Sequence, residues 1–512
     1  MPRIPLEYSL QHEEKDPGSA FRKLQFMKAI KIDGKSIESV EEAVLYLRVL
    51  YFNENDLYFC EDSDLHDTTT NSLRYDQPDN LRKSLFTAKK LLPLVFEGER
   101  LKSELAKLYR MIDEFCAPAT ALKSAEPFSG KKTGIDYLIP RGYRGVSQLG
   151  CSGLFALEDI EPESIILSIA ESEIINLFTA LRDPQFSPIA VQLLGEGQHP
   201  DTVVLLYLVH LRNTCNRADS TTPESVKLFF EGLSDSFGTL MEWPIEAVDA
   251  LGLEAVSAEV QKHKDILLDI HASLPEHLCP AFSDLLWAKT LCSSRSFMNG
   301  NMTPISDLEA RIVDQHLPNK RLTCVIPGAD LLNHNPRGQC SVPQFNAETR
   351  RLEIKAECFI PKNTEIFLNY GGIANWEFLF HSGFILPVNP YDIMEIELEA
   401  DEPAIEHKIH QEGLPLMHFI RHGYPKISKK FVKAVRIVTG EENPYECIES
   451  LLTGMCGQDP QVTEATDWWL EEYGDKVVQF RTGYKRMLNE ALALIKEECE
   501  KKKKGLLLRR RK

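Results

Sequence analysis

The sequence predicts a mixed α+β protein whose β region is split in two. Three observations carry this reading. Apolar stripes at helical spacing stand towards both ends of the chain, a period-two strand signature lies at residues 352–358, and a helical pattern over about 171–290 separates it from an earlier β region at 154–167. The 512 residues leave room for several domains of roughly 100–200 residues each. Hydrophobic residues make up 43% and charged residues 26%, with 28 Gly and 29 Pro, a composition that excludes collagen-like, coiled-coil and wholly disordered chains.

Residues 1–120 read as a helical N-terminal region of unassigned role. Leu101, Leu105, Leu108, Ile112 and Phe115 form one stripe that Ala117-Pro118 is expected to end, and the acidic, Thr-rich residues 61–80 read as a mobile loop. Residues 121–144, rich in Pro and Gly, read as a linker, followed by a β-containing domain over 145–390. Apolar segments 154–157 and 165–167 around the turn 161–164 predict a hairpin. After the helical insertion, strand pattern returns at 322–326. It continues at 352–358, where Leu352, Ile354, Ala356 and Cys358 alternate with charged residues, and a further strand is expected at 365–369. Residues 391–500 read as helical, with Phe480, Tyr484, Met487, Leu488, Ala491 and Ile495 along one face.

The longest run in the 203–209 stretch is seven apolar residues, against about 20 needed to cross a bilayer, so no membrane partner is expected. The first residues, Met-Pro-Arg-Ile-Pro followed by Glu7, His12 and Glu13, lack the apolar segment of a secretion signal. Net charge is -18, and residues 501–512 form a basic tail with eight Lys and Arg and no acid. The remainder holds 50 basic against 76 acidic residues, a body at -26 that should not bind nucleic acid directly. The tail reads equally as a nuclear-import or anionic-surface segment and as a solvated basic terminus. Twelve cysteines without a Cys-x-x-Cys pattern argue for reduced thiols, hence a cytoplasmic or nuclear location, and against a cysteine-rich zinc site.

Common motifs fail on spacing. Near Ser129-Gly-Lys-Lys-Thr133, Ala125 stands where a phosphate loop needs its leading glycine, and there is no His-Glu-x-x-His or Gly-x-Ser-x-Gly. His407 and His410 read as a solvated surface pair rather than metal ligands, so no metal is expected.

What remains is an ordered set of segments. Gly150-Cys151-Ser152-Gly153-Leu154, Ala329-Asp330-Leu331-Leu332-Asn333-His334, and residues 365–384 with Tyr370-Gly371-Gly372 and Ser382-Gly383-Phe384 resemble the SET-domain protein methyltransferases. The helical insertion, the Trp287-Ala288-x6-Arg295-Ser296-Phe297 stretch and the helical C-terminal region are similar to the subgroup typified by Rubisco large-subunit lysine methyltransferase and the actin-histidine methyltransferases. The resemblance implies a split, knotted SET β core over 145–390 carrying the insertion, a substrate-binding domain over 391–500, and S-adenosylmethionine as cofactor.

It further implies that Gly153, Leu154, Arg295, Asp330, Asn333, His334, Ser382, Gly383 and Phe384 bind the cofactor, with Arg295 pairing to its carboxylate. Gly153 would let the backbone approach the ligand. Tyr370 would be the catalytic residue, and Phe297 would wall the substrate channel. The family's Glu-Gly-x-Gly-Leu turn is here Gly150-Cys151-Ser152-Gly153-Leu154, which lacks the acid and has a cysteine for one glycine. The implied activity is methylation of a protein lysine. Protein histidine methylation and a non-catalytic peptide-binding SET module are the alternatives.

Overall fold

A computed structural model of the chain describes residues 37–52, 58–59, 78–121, 139–147, 151–217, 220–299, 302–317, 321–400, 402–423, 427–457 and 469–509. It opens with three helices, α1 (Val40–Leu50), α2 (Pro78–Val95) and α3 (Gly98–Thr120). Ser39 caps α1, its Oγ accepting from Glu42 N–H at 3.2 Å. The anticipated stripe on α3 buries Leu108, Ile112 and Phe115, with Leu101 and Leu105 packed at its edge.

Two sequence expectations fail here. The α3 helix runs through Pro118 to Thr120, because a proline in the last turn forfeits little more than its own N–H, and Ala121 N–H still reaches the Ala117 carbonyl at 3.1 Å. The α2 helix starts at Pro78, inside the stretch expected as a loop, since proline's fixed φ suits a first turn; residues 60–77 lie outside the described residues.

Next come β1 (Gly142–Val146), which begins inside the expected linker, and β2 (Ser152–Ala156), antiparallel to it. Residues 122–138 of that linker are outside the described residues. The strand β3 (Ile165–Ala170) makes no hairpin with β2. Leu154, Phe155 and Ala156 are all buried, so β2 is covered on both faces rather than one. The turn instead carries the chain between sheets, with Glu163 at φ 65° and its N–H on the Ala356 carbonyl at 2.8 Å.

The inserted helices are α4 (Leu177–Arg182), α5 (Ser187–Gly195), α6 (Pro200–Thr214), α7 (Glu224–Glu231), α8 (Ile245–Asp249), α9 (Glu254–Ser273) and α10 (Phe282–Arg295). The apolar run 203–209 lies wholly buried on α6. There follow β4 (Ser296–Asn299), α11 (Asp307–His316), β5 (Leu322–Val325), β6 (Gln344–Asn346) and β7 (Arg351–Lys355). The β4 and β5 strands pair antiparallel, and β7 lies between β3 and β6 with Leu352 and Ile354 inward.

Residues 365–369 form no continuous strand. Their partners change sides: Ile366 N–H bonds the Leu154 carbonyl at 2.7 Å, and Leu368 N–H bonds that of Asn333 at 2.9 Å, leaving isolated bridges in place of a ladder.

Last come α12 (Asn375–Ser382), β8 (Ile393–Glu397), α13 (Pro403–Gln411), β9 (Met417–Arg421), α14 (Lys429–Thr439), α15 (Pro444–Gly457) and α16 (Leu470–Arg509). The region beyond 390 is therefore not wholly helical. Met394 and Ile396 are buried while Glu395 and Glu397 are exposed, a period-two strand that pairs antiparallel with β9. The α16 helix continues through residues expected as a separate basic tail.

Three cores result. The central one gathers residues such as Ile166, Phe178, Leu208, Trp243 and Ile354; a second fills the α1–α3 bundle; a third holds Met394, Ile409, Phe431 and Ile495. Trp469, Val477 and Phe480 belong to the central core, whereas Met487, Leu488 and Ile495 on the same helix belong to the third. No helix among the described residues is long and apolar enough to cross a membrane.

Candidate active site

Arg295 ends α10, where a cation opposes the helix dipole favourably. Its Nη1 donates to Asp330 Oδ2 at 2.7 Å, and the guanidinium lies 5.4 Å from the Phe237 ring centroid. Asp330 is fixed in a short 3-10 turn, Ala329–Leu331, where its Oδ1 also accepts from Gly328 N–H at 3.0 Å. The Arg295 Nε is buried and has no hydrogen-bond partner.

A cavity of about 340 Å³ opens beside this pair. Of the residues expected in the site, Arg295, Phe297, Asp330, Tyr370 and Ser382 line it, together with Val342, Ile373, Phe378 and His381. Phe297 stands on β4 opposite Cys324.

The Tyr370 hydroxyl donates to the Leu332 carbonyl at 2.6 Å, and its backbone N–H donates to His334 Nδ1 at 2.9 Å. Burial pushes the phenol pKa up, with Arg295 opposing and Asp330 adding to the shift. Burial likewise pulls His334 down to about 3. An Nδ1 that accepts from an amide leaves the proton of the neutral ring on Nε2. Phe378 lies 4.7 Å and Phe384 6.3 Å from the His334 ring, so His334 and Phe384 support Tyr370 from behind the cavity.

The remaining expected residues do not line this cavity. Asn333 Nδ2 donates to Glu365 Oε1 at 2.8 Å and to the Ser152 carbonyl at 3.1 Å, while Ser147 Oγ donates to Glu365 Oε2 at 2.8 Å. Burial raises the Glu365 pKa against these two donors. A Cβ at Gly153 would sit 2.4 Å from Glu365 Oε1 and 2.8 Å from Asn333 Nδ2, so the close approach expected towards a ligand is met by the protein's own side chains. Leu154 is buried in the central core. Gly383 caps α12 at φ 74°, and a Cβ there would lie 2.2 Å from the Phe237 carbonyl oxygen.

Sequence reasoning left out Glu365 and Phe237. Glu365 carried a signal, an acid heading the apolar run Ile366-Phe367-Leu368; Phe237 carried none, because only the folded insertion brings it to Arg295.

The SET-domain family model matches residues 152–371. These residues form a SET domain. Ribosomal lysine N-methyltransferase set10 of Schizosaccharomyces pombe is 27% identical over 141 residues, covering 28% of this chain and 23% of that protein. SET domain-containing protein 4 of Mus musculus is 33% identical over 94 residues, 18% of this chain and 21% of the relative. The matched parts thus span less than a quarter of these relatives' own length. Among solved structures, Rubisco LSMT bound to AdoMet aligns with a TM-score of 0.46 at 17% identity, covering 76% of this chain and 92% of the other. Rubisco LSMT bound to sinefungin and monomethyllysine aligns with a TM-score of 0.48 at 16% identity over the same shares. In this SET domain Arg295, Asp330 and Tyr370 face one cavity from three separate segments.

Proposed function

We propose that the protein transfers a methyl group from S-adenosylmethionine to a lysine side chain of a protein substrate. The observation that carries this reading is Arg295, Asp330 and Tyr370 on one cavity with the buried Arg295 Nε unpartnered. A carboxylate in the cavity would pair with the Arg295 guanidinium by charge-assisted bonds, reaching the Nε once the side chain turns from Asp330, which would suit the methionine end of the cofactor. Bound, the cofactor supplies an electron-poor methyl group on a sulfonium. The lysine methyltransferase named among the relatives supports the same chemistry.

The chain's own residues do the rest. A lysine with a pKa of about 10.4 lies about 3.4 units from its neutral form at pH 7, a gap of roughly 4.6 kcal/mol, and apolar walls reduce it by desolvation. Phe297, Val342 and Phe378 supply such walls. Because the Tyr370 proton is committed to Leu332, the phenolic oxygen faces the cavity as an acceptor and orients an amine through its N–H. The apolar Phe297 favours the lysine stem over an imidazole. Residues 391–500 would dock the substrate protein, and Asn333-His334, bridged in parallel to Leu368, would be the threaded segment of a knotted core. A cytoplasmic or nuclear location follows from the thiol-rich sequence.

Labelled methyl transfer to an extract, with mass spectrometry of the product, tests the reading. Methyl-lysine is the expected product; methyl-histidine would reassign the acceptor, and cofactor or peptide binding without product would favour the non-catalytic module. Arg295→Ala should weaken cofactor binding by about 1.5–3 kcal/mol in calorimetry. Tyr370→Phe should slow single turnover by about 10²-fold. It should also cost about 1–3 kcal/mol of stability, since the Leu332 carbonyl loses its donor.

A further inference from the structure

The α2 helix of the N-terminal bundle reaches the segment that bears Tyr370. Asn369, buried and adjacent to the tyrosine, donates through Nδ2 to Asp79 Oδ1 at 3.2 Å and to the Pro336 carbonyl at 3.1 Å. The other end of the same amide, Asn369 Oδ1, accepts from Gly371 N–H at 2.7 Å. The Asn369 side chain therefore fixes both ends of the peptide stretch that aims Tyr370, and Asp79 fixes Asn369. Lys83 holds the second Asp79 oxygen at 2.8 Å, so the carboxylate cannot swing freely.

Two further links run between the same helix and the same turn. The Asp79 backbone N–H bonds the Tyr391 hydroxyl, and the Tyr391 ring lies so close over Gly372 that a Cβ there would stand 2.6 Å from it. One turn along α2, buried Arg82 donates from Nε to the Gly338 carbonyl at 3.3 Å, and from Nη2 to the Cys340 carbonyl and Glu357. Cys340 N–H in turn bonds the Phe367 carbonyl at 3.2 Å, three residues before Tyr370. A helix placed merely to cover apolar surface needs none of these directional bonds; one ends on Asn369, and the partners Tyr391 and Cys340 in turn touch Gly372 and Phe367.

We propose that the first turn of α2 is a positioning element for methyl transfer, with Asp79 as a positioning residue that holds the Tyr370 hydroxyl in register through Asn369. The inference rests on the proposed role of Tyr370. Displacing a reacting group by about 1 Å can cost on the order of 10²-fold in rate, so a loosened turn should appear in turnover before it appears in affinity.

The test uses the full chain with Asp79→Ala, Asp79→Asn and, if the alanine variant does not fold, Asp79→Ser. Asp79→Ala should lower kcat by about 10-fold or more with the calorimetric Kd for S-adenosylmethionine and the KM for substrate unchanged, and Asp79→Asn, which keeps the acceptor oxygen, should restore most of kcat. A second readout does not depend on activity. The 15N amide resonance of Gly371 in glycine-labelled protein, identified by its loss in Gly371→Ala, should shift in Asp79→Ala and stay near its wild-type position in Asp79→Asn. Wild-type kcat in Asp79→Ala, an unmoved Gly371 amide, or Asp79→Asn as slow as Asp79→Ala would each overturn the proposal. Absence of methyl transfer by the wild-type chain would instead count against the transferase reading, and the Gly371 amide would then decide alone whether the brace exists.

Discussion

The N-terminal bundle and the C-terminal region meet the central body through different chemistry. The bundle arrives through directional polar bonds, Arg82 to Gly338, Cys340 and Glu357, and Asp79 to Asn369. The C-terminal region arrives through Trp469, just ahead of α16, and through Val477 and Phe480 on that helix, all buried in the central core. Apolar burial is strong and tolerant of direction, whereas buried polar pairs are demanding of geometry and costly when broken. The contrast teaches that the two attachments serve different ends: α16 secures the fold, and α2 sets positions near Tyr370.

Removing α16 should break the molecule most severely. A chain ended after residue 390 would strip Trp469, Val477 and Phe480 from the central core; each large-to-small loss of this kind costs about 2–5 kcal/mol. Such a protein should show no cooperative thermal melt, and an intact melt would refute the claim that α16 secures the fold. Arg82→Ala comes next, at about 1–3 kcal/mol by chemical denaturation, because the Gly338 and Cys340 carbonyls would lose their donor and half-buried Glu357 its bonded cation.

A pH series probes the seam where the two regions touch each other. Tyr58 lies with its hydroxyl 2.8 Å from His418 Nδ1 on β9, and burial pulls His418 down to about 4. An unfolded histidine, with a pKa of about 6.5, takes up its proton before the folded one does, so stability is fully present above that pH and is lost as pH falls from 6.5 towards 4. His334, at about 3, extends the loss further down. Denaturation midpoints should decline over this window and decline less in His418→Gln; an equal slope in the variant would remove His418 from the account. The smallest effect belongs to Ser39→Ala, about 0.5–2 kcal/mol for a lost helix cap, with methyl transfer unchanged because the cap lies at the opposite end of α1 from Arg48, whose carbonyl accepts from Asn80 on α2. A fall in kcat there would mean that the whole bundle, not the first turn of α2, positions Tyr370.

Local patterns in the sequence were read correctly where neighbours in the chain decide the outcome. The α3 stripe, the α16 face and the alternation at 352–358 depend on spacing alone. The hairpin at 154–167 failed because β2 takes its partner from residues 142–146 and β3 from 351–355, pairings that no local turn signal encodes. The strand at 393–397 was legible in its alternating Glu395 and Glu397 but was passed over within a helical stretch. In the site, Arg295, Phe297, Asp330, Tyr370 and Ser382 come to one cavity from segments up to 87 residues apart in number, which residue types and their order could suggest. The Asp79–Asn369 bond could not be suggested, since nothing about an aspartate at a helix start announces a partner 290 positions away.

The placement of α16 also has a consequence in time. The central core runs in sequence from Ile139 to Phe480. At a synthesis rate of about 5–20 residues per second, the ribosome needs roughly 17–68 seconds to pass from residue 139 to residue 480. Throughout that interval the earlier-made half of the core has an open apolar face where Trp469, Val477 and Phe480 will dock. The nascent protein is therefore expected to lean on chaperones for most of its synthesis, and to complete its central body only after the region that would dock substrate has largely been made.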